Sequence, residues 1–297
     1  MAAPAHDDSL SAFVGVRPRL FGIAYRILGS AAEAEDVVQD TWLRWQAADR
    51  GVVLDPPAFL ATTTTRLAIN LAQSARSRRE TYIGPWLPEP VDTSDDPHLG
   101  AERAEALQFA VLLLLEKLSP VERAAYVLRE AFDYPYRQIG EMLRLEEANT
   151  RQLVSRARKH IADGRSAPVS SDEQERLLRA FIAAAQEGDF ARLEGLFVSD
   201  IVSWSDGGGV VRAARTAIAG RERVAKFISA FASHFWSGVG LEWINANGQA
   251  SVLITCDGAI VTLVTIDASV QGIGQILWMM RPSKLTAISP HSPNAPH

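Results

Sequence analysis

At 297 residues the chain exceeds the usual single-domain size and predicts about two or three domains, each with material for a core because 47% of residues are apolar. The formal net charge of -5 excludes a wholly basic coat protein but not nucleic-acid binding through a local cationic patch. A lone cysteine, Cys256 in the apolar run Ser251 to Cys256, excludes an internal disulfide framework and a cysteine-cluster zinc site, and reads as a small hydrophobe in a reducing interior.

The amino terminus, MAAPAHDDSL, has neither the basic start nor the apolar core of a signal peptide, and no apolar run approaches the roughly 20 residues of a membrane span. A cytoplasmic protein with no membrane contact is expected. From about Phe13 to Thr81 the pattern is helical. Phe21, Ala24, Tyr25 and Leu28 form an apolar stripe ending at Gly29, and Ser30 then offers an N-cap for a helix with early acids Glu33, Glu35 and Asp36 that continues to Trp45. Asp55-Pro56-Pro57 breaks the chain before a third helix, Ala58 to about Arg79, which begins apolar and finishes in Arg76, Arg78 and Arg79.

Ile83 to Gly100 is rich in proline and aspartate, as an exposed linker would be, yet Trp86 and Leu87 are costly to leave in water and predict docking on another surface. Helices resume from Ala101 with Leu107, Val111, Leu114, Leu115 and Leu118 as core, and Ser119-Pro120 caps and starts a helix through Ala131. Tyr136 to Leu143 is a short helix pattern, followed by the turn-like Arg144 to Glu147. Leu143 to Ile161 then carries Leu153, Val154, Ala157 and Ile161 as an apolar stripe, with Arg151, Arg156, Arg158 and Lys159 projecting elsewhere. Two short helices about a tight turn, the second basic, make a helix-turn-helix whose Arg and Gln side chains suit guanine and adenine edges. The competing local reading is an amphipathic surface helix with solvated charges.

Gly164 to Ser171 is a second linker. Beyond it lie a helix from about Asp172 to Glu187 with Leu177, Leu178, Phe181 and Ile182 inward, and candidate strands Ile201 to Trp204, Gly240 to Asn245, Ala250 to Cys256, Ala259 to Ile266 and Gly272 to Met279. Asn247-Gly248 and Asp257-Gly258 signal hairpin turns. A helix followed by a curved antiparallel sheet describes an α+β module appended to an all-α one.

In this order the chain resembles an extracytoplasmic-function sigma factor of the sigma-70 family carrying a SnoaL-like domain of the NTF2 fold. Residues 34–45, AEDVVQDTWLRW, are close to the family's region-two signature, Leu118 to Ile161 resembles region four, and Trp86-Leu87-Pro88-Glu89-Pro90 is the linker motif of the subgroup with the fused domain. The resemblance implies two all-α domains followed by an NTF2-like cone: region two over 10–81, a linker over 82–100, region four over 101–163, a second linker over 164–171 and the SnoaL-like domain over 172–288. It implies that Asp36, Gln39, Asp40 and Arg44 meet the clamp helices of the largest subunit of core RNA polymerase, with Glu35 and Trp42 as helpers; as core residues, Trp42 and Trp45 have a structural alternative. Promoter DNA would be opened at the minus-ten element by Asn70 and Gln73, with Arg66, Arg76, Arg78 and Arg79 on phosphates, and read at minus-35 by Asn149, Arg151, Gln152, Ser155, Arg156 and Lys159. Glu146 stands where many relatives have a serine cap, which leaves the start of the reading helix open.

Asp206-Gly207-Gly208-Gly209-Val210 resembles the subgroup's DGGGK or DGGGR motif, with Val210 in place of the cation, and Arg281-Pro282-Ser283-Lys284-Leu285 resembles NPDKL. In the family the glycine loop is linked to control of sigma activity through the core domains or their linker, so Trp86 to Pro90 and Asp206 to Gly209 are expected to form a regulatory contact; the missing cation puts its salt bridge in question. No cofactor, metal or catalysis is expected. His234, Asp189, Asp206 and Asp257 are the acid-base candidates of an enzymatic reading, and Trp204, Phe227, Phe231, Trp243, Trp278 and Met279 those of a small-molecule pocket. A DNA-binding repressor fused to an NTF2-fold sensor or enzyme is the alternative function.

Overall fold

The computed structural model describes residues 4–93, 107–164, 167–286 and 288, with side chains placed for all of these except 4–9, 50 and 76–78. They form two compact units. The first is all-helical: α1 Pro4–Leu28, α2 Ala31–Ala47, α3 Pro56–Glu80, α4 Phe109–Leu115, α5 Pro120–Glu130, α6 Tyr136–Leu143 and α7 Glu147–Asp163. The helix expected to resume at Ala101 begins outside the described residues.

Local chemistry sets these boundaries. Gly29 takes φ 68° to end α1, and the Ser30 hydroxyl accepts from the Glu33 amide at 3.1 Å to start α2. Ser119 and Glu122 form a reciprocal capping box at the head of α5, with Pro120 at the first helical position. Phe21, Ala24, Tyr25 and Leu28 of α1 are all buried, as are Leu107, Val111, Leu114, Leu115 and Leu118 in the second half of the unit. The halves are joined by buried arginines whose role periodicity does not reveal. Arg123 donates to the Ile27 carbonyl at 2.7 Å and to Glu116 at 2.5 Å, and the Arg26 guanidinium lies 5.2 Å from the Phe132 ring centroid.

The second unit is α+β and takes in the stretch from Thr81 to Thr93 together with the chain from residue 167 onward. Its elements are α8 Ser171–Glu187, α9 Phe190–Leu196, β1 Phe197–Asp206, β2 Ile218–Ala219, α10 Arg221–Phe235, β3 Val239–Ala246, β4 Gln249–Cys256, β5 Ala259–Ser269, β6 Gly272–Met279 and α11 Pro282–Leu285. The sheet order is β2-β1-β6-β5-β4-β3. Hairpins β3–β4 and β4–β5 turn at Asn247-Gly248 and Asp257-Gly258, where all four residues have positive φ, the conformation of a type I′ turn.

The sheet is mixed rather than purely antiparallel, because β1 runs parallel to β6, with Asp206 beside Met279. The expected antiparallel sheet is thereby corrected: β1 is separated from its partner by four other strands, and hairpin signals reach only sequence neighbours. Parallel pairing brings the carboxy-terminal ends of β1 and β6 to one place, so the loop after Asp206 and the segment Arg281–Lys284 emerge side by side. One sheet face packs against α8, α9 and α10 through a core containing Phe181, Ile182, Leu193, Ile228, Val252, Ile266 and Trp278. Leu253, Leu263 and Met279 form a cross-sheet row on the other face and are equally buried. Asp206 continues that row.

Among the described residues no helix is long and apolar enough to cross a membrane, and no group of three or more His, Cys, Asp or Glu is placed to hold a metal ion.

Candidate functional site

Burial of Ala34, Val37, Val38, Thr41 and Trp45 fixes one side of α2, and a buried 3.0 Å hydrogen bond between the Thr41 and Thr64 hydroxyls ties it to α3. The opposite side presents Asp36, Gln39, Asp40 and Arg44, all exposed, with Leu43 53% exposed among them. Glu35 pairs with Arg17 at 2.6 Å. Trp45 is core, its ring 5.7 Å from that of Phe59, while Trp42 is half-buried with its ring 4.8 Å from Phe13. The face is therefore acidic and polar around an apolar centre.

Asn70 and Gln73 are exposed on α3. Arg66 instead donates to the Met142 and Glu141 carbonyls at 2.8 and 3.1 Å, where α6 leaves its last carbonyls without helical partners. Burial, then Arg144, pushes the Arg66 pKa down. Arg79 is bound to the Glu116 carboxylate and the Leu28 carbonyl. Two of the four cations expected on phosphates thus serve contacts within their own unit; the side chains of Arg76 and Arg78 lie outside the described residues. Arg44, Arg66, Asn70, Met142 and Arg144 line a cleft of about 450 Å³ between α3 and α6.

Helices α6 and α7 form the helix-turn-helix. Arg144 takes φ 57°, and the Leu145 amide donates to the Gly140 carbonyl at 2.8 Å. A Cβ at Gly140 would sit 2.6 Å from the Leu145 carbonyl oxygen, so the tight turn requires glycine. Helix α7 begins at Glu147 without a side-chain cap, the Glu146 carbonyl accepting instead from the Thr150 hydroxyl at 3.1 Å. Thr150, Leu153, Val154, Ala157 and Ile161 are buried, which leaves Asn149, Arg151, Gln152, Ser155, Arg156 and Lys159 exposed. Arg151 pairs with Glu147 at 2.5 Å and stacks on Tyr136 at 4.6 Å, and Arg156 lies 3.3 Å from Glu122. Exposed pairs of this kind are worth about 0–1 kcal/mol, so exchange for phosphate costs little.

The third feature is buried. Asp206 is fully buried and accepts from the Tyr82 hydroxyl at 2.5 Å, the Leu87 amide at 2.9 Å and the Lys284 ammonium at 2.7 Å. Lys284, 4% exposed, also donates to the Leu87 carbonyl and lies 4.3 Å from the Trp86 ring centroid. Asp206 thus has its cation from the segment resembling NPDKL, Lys284 lying 78 residues further along the chain, while Val210 is exposed. Each glycine of the loop has its own reason. A Cβ at Gly207 would meet the Val211 carbonyl at 2.5 Å, one at Gly208 (φ 57°) the Arg281 side chain at 2.7 Å and the Tyr82 hydroxyl at 2.8 Å, and one at Gly209 (φ 74°) Ile83 at 2.9 Å. Burial and the Asp206 carboxylate push the Tyr82 pKa up to about 12.

Downstream the same stretch reaches strand β3 at the sheet's edge. The Val91 amide donates to Asn247 Oδ1 at 2.8 Å, Asn247 returns its amide to the Val91 carbonyl at 2.9 Å, and Thr93 donates to the Asn245 carbonyl at 2.9 Å. Leu87, Pro88, Pro90 and Val91 are buried and Glu89 half-buried, so the stretch whose composition suits an exposed linker docks, as Trp86 and Leu87 predict, and forms a strap built into the second unit.

The acid-base candidates do not converge. Asp206 holds the strap, Asp189 caps α9 by accepting from the Arg192 amide at 3.0 Å, and Asp257 occupies a hairpin turn at φ 50°. His234 lines a cavity of about 670 Å³ with Ser205, Arg212, Phe227, Phe231, Trp278 and other residues. Trp204 and Met279, expected there, alternate to the opposite sheet face from Ser205 and Trp278, while Trp243 lies beneath the Arg179 guanidinium at 4.0 Å.

Comparison with known proteins follows the same division. Sigma-70 region 2 matches residues 13–79 and Sigma-70 region 4 matches residues 108–161. The ECF RNA polymerase sigma factor SigJ of Mycobacterium tuberculosis is 37% identical over 236 residues, 77% of this chain and 75% of the relative. The probable ECF RNA polymerase sigma factor SigI of Mycobacterium tuberculosis is 30% identical over 285 residues, 94% of this chain and 96% of the relative. The crystal structure of SigJ superimposes with a TM-score of 0.77 at 31% identity, covering 95% of this chain and 100% of that one.

Proposed function

This chain belongs to the extracytoplasmic-function family of RNA polymerase sigma factors, with a carboxy-terminal SnoaL-like domain, and from that premise we propose how its surfaces divide the work. The exposed face of α2, with Asp36, Gln39, Asp40 and Arg44, docks on the basic clamp helices of the polymerase largest subunit, Leu43 supplying apolar contact at its centre. The reading face of α7, Asn149 to Lys159, enters the major groove at minus-35, and Asn70 and Gln73 of α3 capture an unstacked base at minus-ten. The chain acts by binding and positioning and performs no covalent chemistry.

The single observation that carries this reading is the segregation on α2 and α7 of every residue assigned to polymerase or minus-35 DNA to the solvent side, against a fully apolar or hydroxyl-lined inner side. The two DNA readers cannot act as they stand. Arg66 joins α3 to α6 by hydrogen bonds, whereas elements about 25 base pairs apart are separated by roughly 85 Å of duplex at about 3.4 Å per step. Promoter engagement therefore releases Arg66 from the Met142 and Glu141 carbonyls, freeing a cation for phosphate. The strap clamp at Asp206, Lys284 and Leu87 is the point where the SnoaL-like domain controls this activity in cis.

Run-off transcription with core polymerase and a cognate promoter tests the proposal. Full-length protein supports initiation, whereas Asp36→Lys with Asp40→Lys loses holoenzyme formation while keeping its thermal midpoint. Transcription independent of this chain, or unaffected by the charge reversal, overturns it. For control in cis, removal of residues beyond about Pro168 and the substitution Gly208→Val shift promoter-dependent output in the same direction; equal output from all three proteins rejects that part.

A further inference from the structure

The cavity of the SnoaL-like domain is not used by the polymerase and promoter assignments. Its volume, about 670 Å³, falls within the range of small-molecule sites. Its walls are aromatic: Phe227 and Phe231 lie 4.9 Å apart, Phe235 and Trp236 4.9 Å, and Phe235 meets Trp278 edge-to-face at 5.7 Å. The Trp278 indole N–H is taken by the Ser203 hydroxyl at 3.1 Å, so this ring offers the cavity carbon surface. Phe231 is 52% exposed, an apolar cost that a bound ring would relieve. The only ionisable residues among the described lining are Arg212 and His234, and that described lining holds no carboxylate.

An apolar aromatic chamber with a guanidinium and an imidazole suits a flat hydrophobic body bearing one negative charge. We propose that the cavity binds a compact aromatic carboxylate, and that its occupancy is felt by the strap. The second half rests on the control in cis proposed above, and the route is written in strand alternation. Ser205 faces the cavity and its neighbour Asp206 faces the strap. Met280 lines the cavity and donates its amide to the Asp206 carbonyl at 2.9 Å, while the following residue, Arg281, lies 5.3 Å from the Tyr82 ring centroid. Arg212, Ala213 and Ala214 line the cavity, and a Cβ on Gly84 of the strap would lie 3.9 Å from the Ala214 carbonyl. A ligand that moves the cavity side of these segments moves the groups holding Tyr82, Gly84 and Leu87.

The test uses the full-length protein and 2-naphthoate, with 2-naphthylmethylammonium as the charge-reversed control, in a calorimetric titration without polymerase or DNA; failure here leaves the sigma-factor reading intact, and the converse also holds. Saturable one-to-one binding of 2-naphthoate is expected, at least tenfold tighter than that of the ammonium. Arg212→Glu weakens it at least tenfold and Ala230→Trp, which fills the space, abolishes it, whereas Lys226→Glu on the same helix as Phe227 leaves it unchanged. Both Arg212 and Ala230 are exposed, so the variants are expected to fold, with circular dichroism as the check. Bound naphthoate changes hydrogen exchange at the Leu87 amide at least threefold. No saturable binding at millimolar naphthoate, equal binding of the ammonium, or an Arg212→Glu variant that binds as tightly as the parent overturns the site. Unchanged exchange at Leu87 in the saturated protein overturns its coupling to the strap.

Discussion

Replacing Lys284 by Met is the most exacting perturbation of the clamp. The side chain keeps its approximate length and loses its charge, leaving Asp206 fully buried with the Tyr82 hydroxyl and the Leu87 amide as its donors among the described residues. Breaking a buried ion pair by removing one partner costs about 3–5 kcal/mol. At about 1.4 kcal/mol per factor of ten, opening of the strap becomes roughly 10²- to 10⁴-fold more frequent, and hydrogen exchange at the Leu87 amide accelerates by the same factor. Adding Asp206→Leu removes the orphaned charge. The double variant then bears about 1 kcal/mol for each donor left without its acceptor, the Leu87 amide included, so it is read by thermal unfolding, with a midpoint above that of Lys284→Met alone. Acceleration of less than tenfold in the single variant, or a double variant whose losses simply add, would refute the claim that this pair is buried, coupled and responsible for holding the strap.

Gly140→Ala is expected to destabilise the first unit by about 1–3 kcal/mol, because its Cβ meets backbone rather than a movable side chain; thermal unfolding together with minus-35 duplex binding measures both consequences. Arg156→Ala should weaken binding to a minus-35 duplex with little effect on stability, since its pair with Glu122 is exposed; titration against matched and single-base-altered duplexes separates base reading from phosphate contact. Tyr82, its pKa raised to about 12 from an ordinary value of 10, stays protonated in the folded strap after the unfolded chain has lost its proton. The resulting stabilisation is complete below about pH 10 and falls as pH rises toward 12, so Leu87 exchange corrected for intrinsic rate should speed up across that window, and Tyr82→Phe should flatten the dependence.

How much of this was legible in the sequence follows from the range of the interactions. The polar faces of α2 and α7 are written in helical period, and Asn247-Gly248 and Asp257-Gly258 encode their turns within two residues. Helix α10 carried the same kind of signal in Val224, Ala225, Ile228 and Ala232 but was obscured by the glycine-punctuated texture around it. The parallel β1–β6 pair has no local signature, and neither has the Lys284 partner of Asp206, because both depend on chain segments that meet only after folding. Arg66 and Arg79 look in sequence like phosphate ligands; only the carbonyls and carboxylate placed beside them disclose another use.

The strap also imposes an order of events on synthesis. Leu87 leaves the ribosome 119 residues before Asp206 and 197 residues before Lys284. At about 5–20 residues per second the second interval alone lasts roughly 10–40 s, during which all the helices of the first unit have been made and Trp86 and Leu87 have no pocket to enter. A newborn chain therefore passes through an interval in which the helices of its first unit exist and the clamp on the strap does not, and synthesis of Lys284 ends that interval.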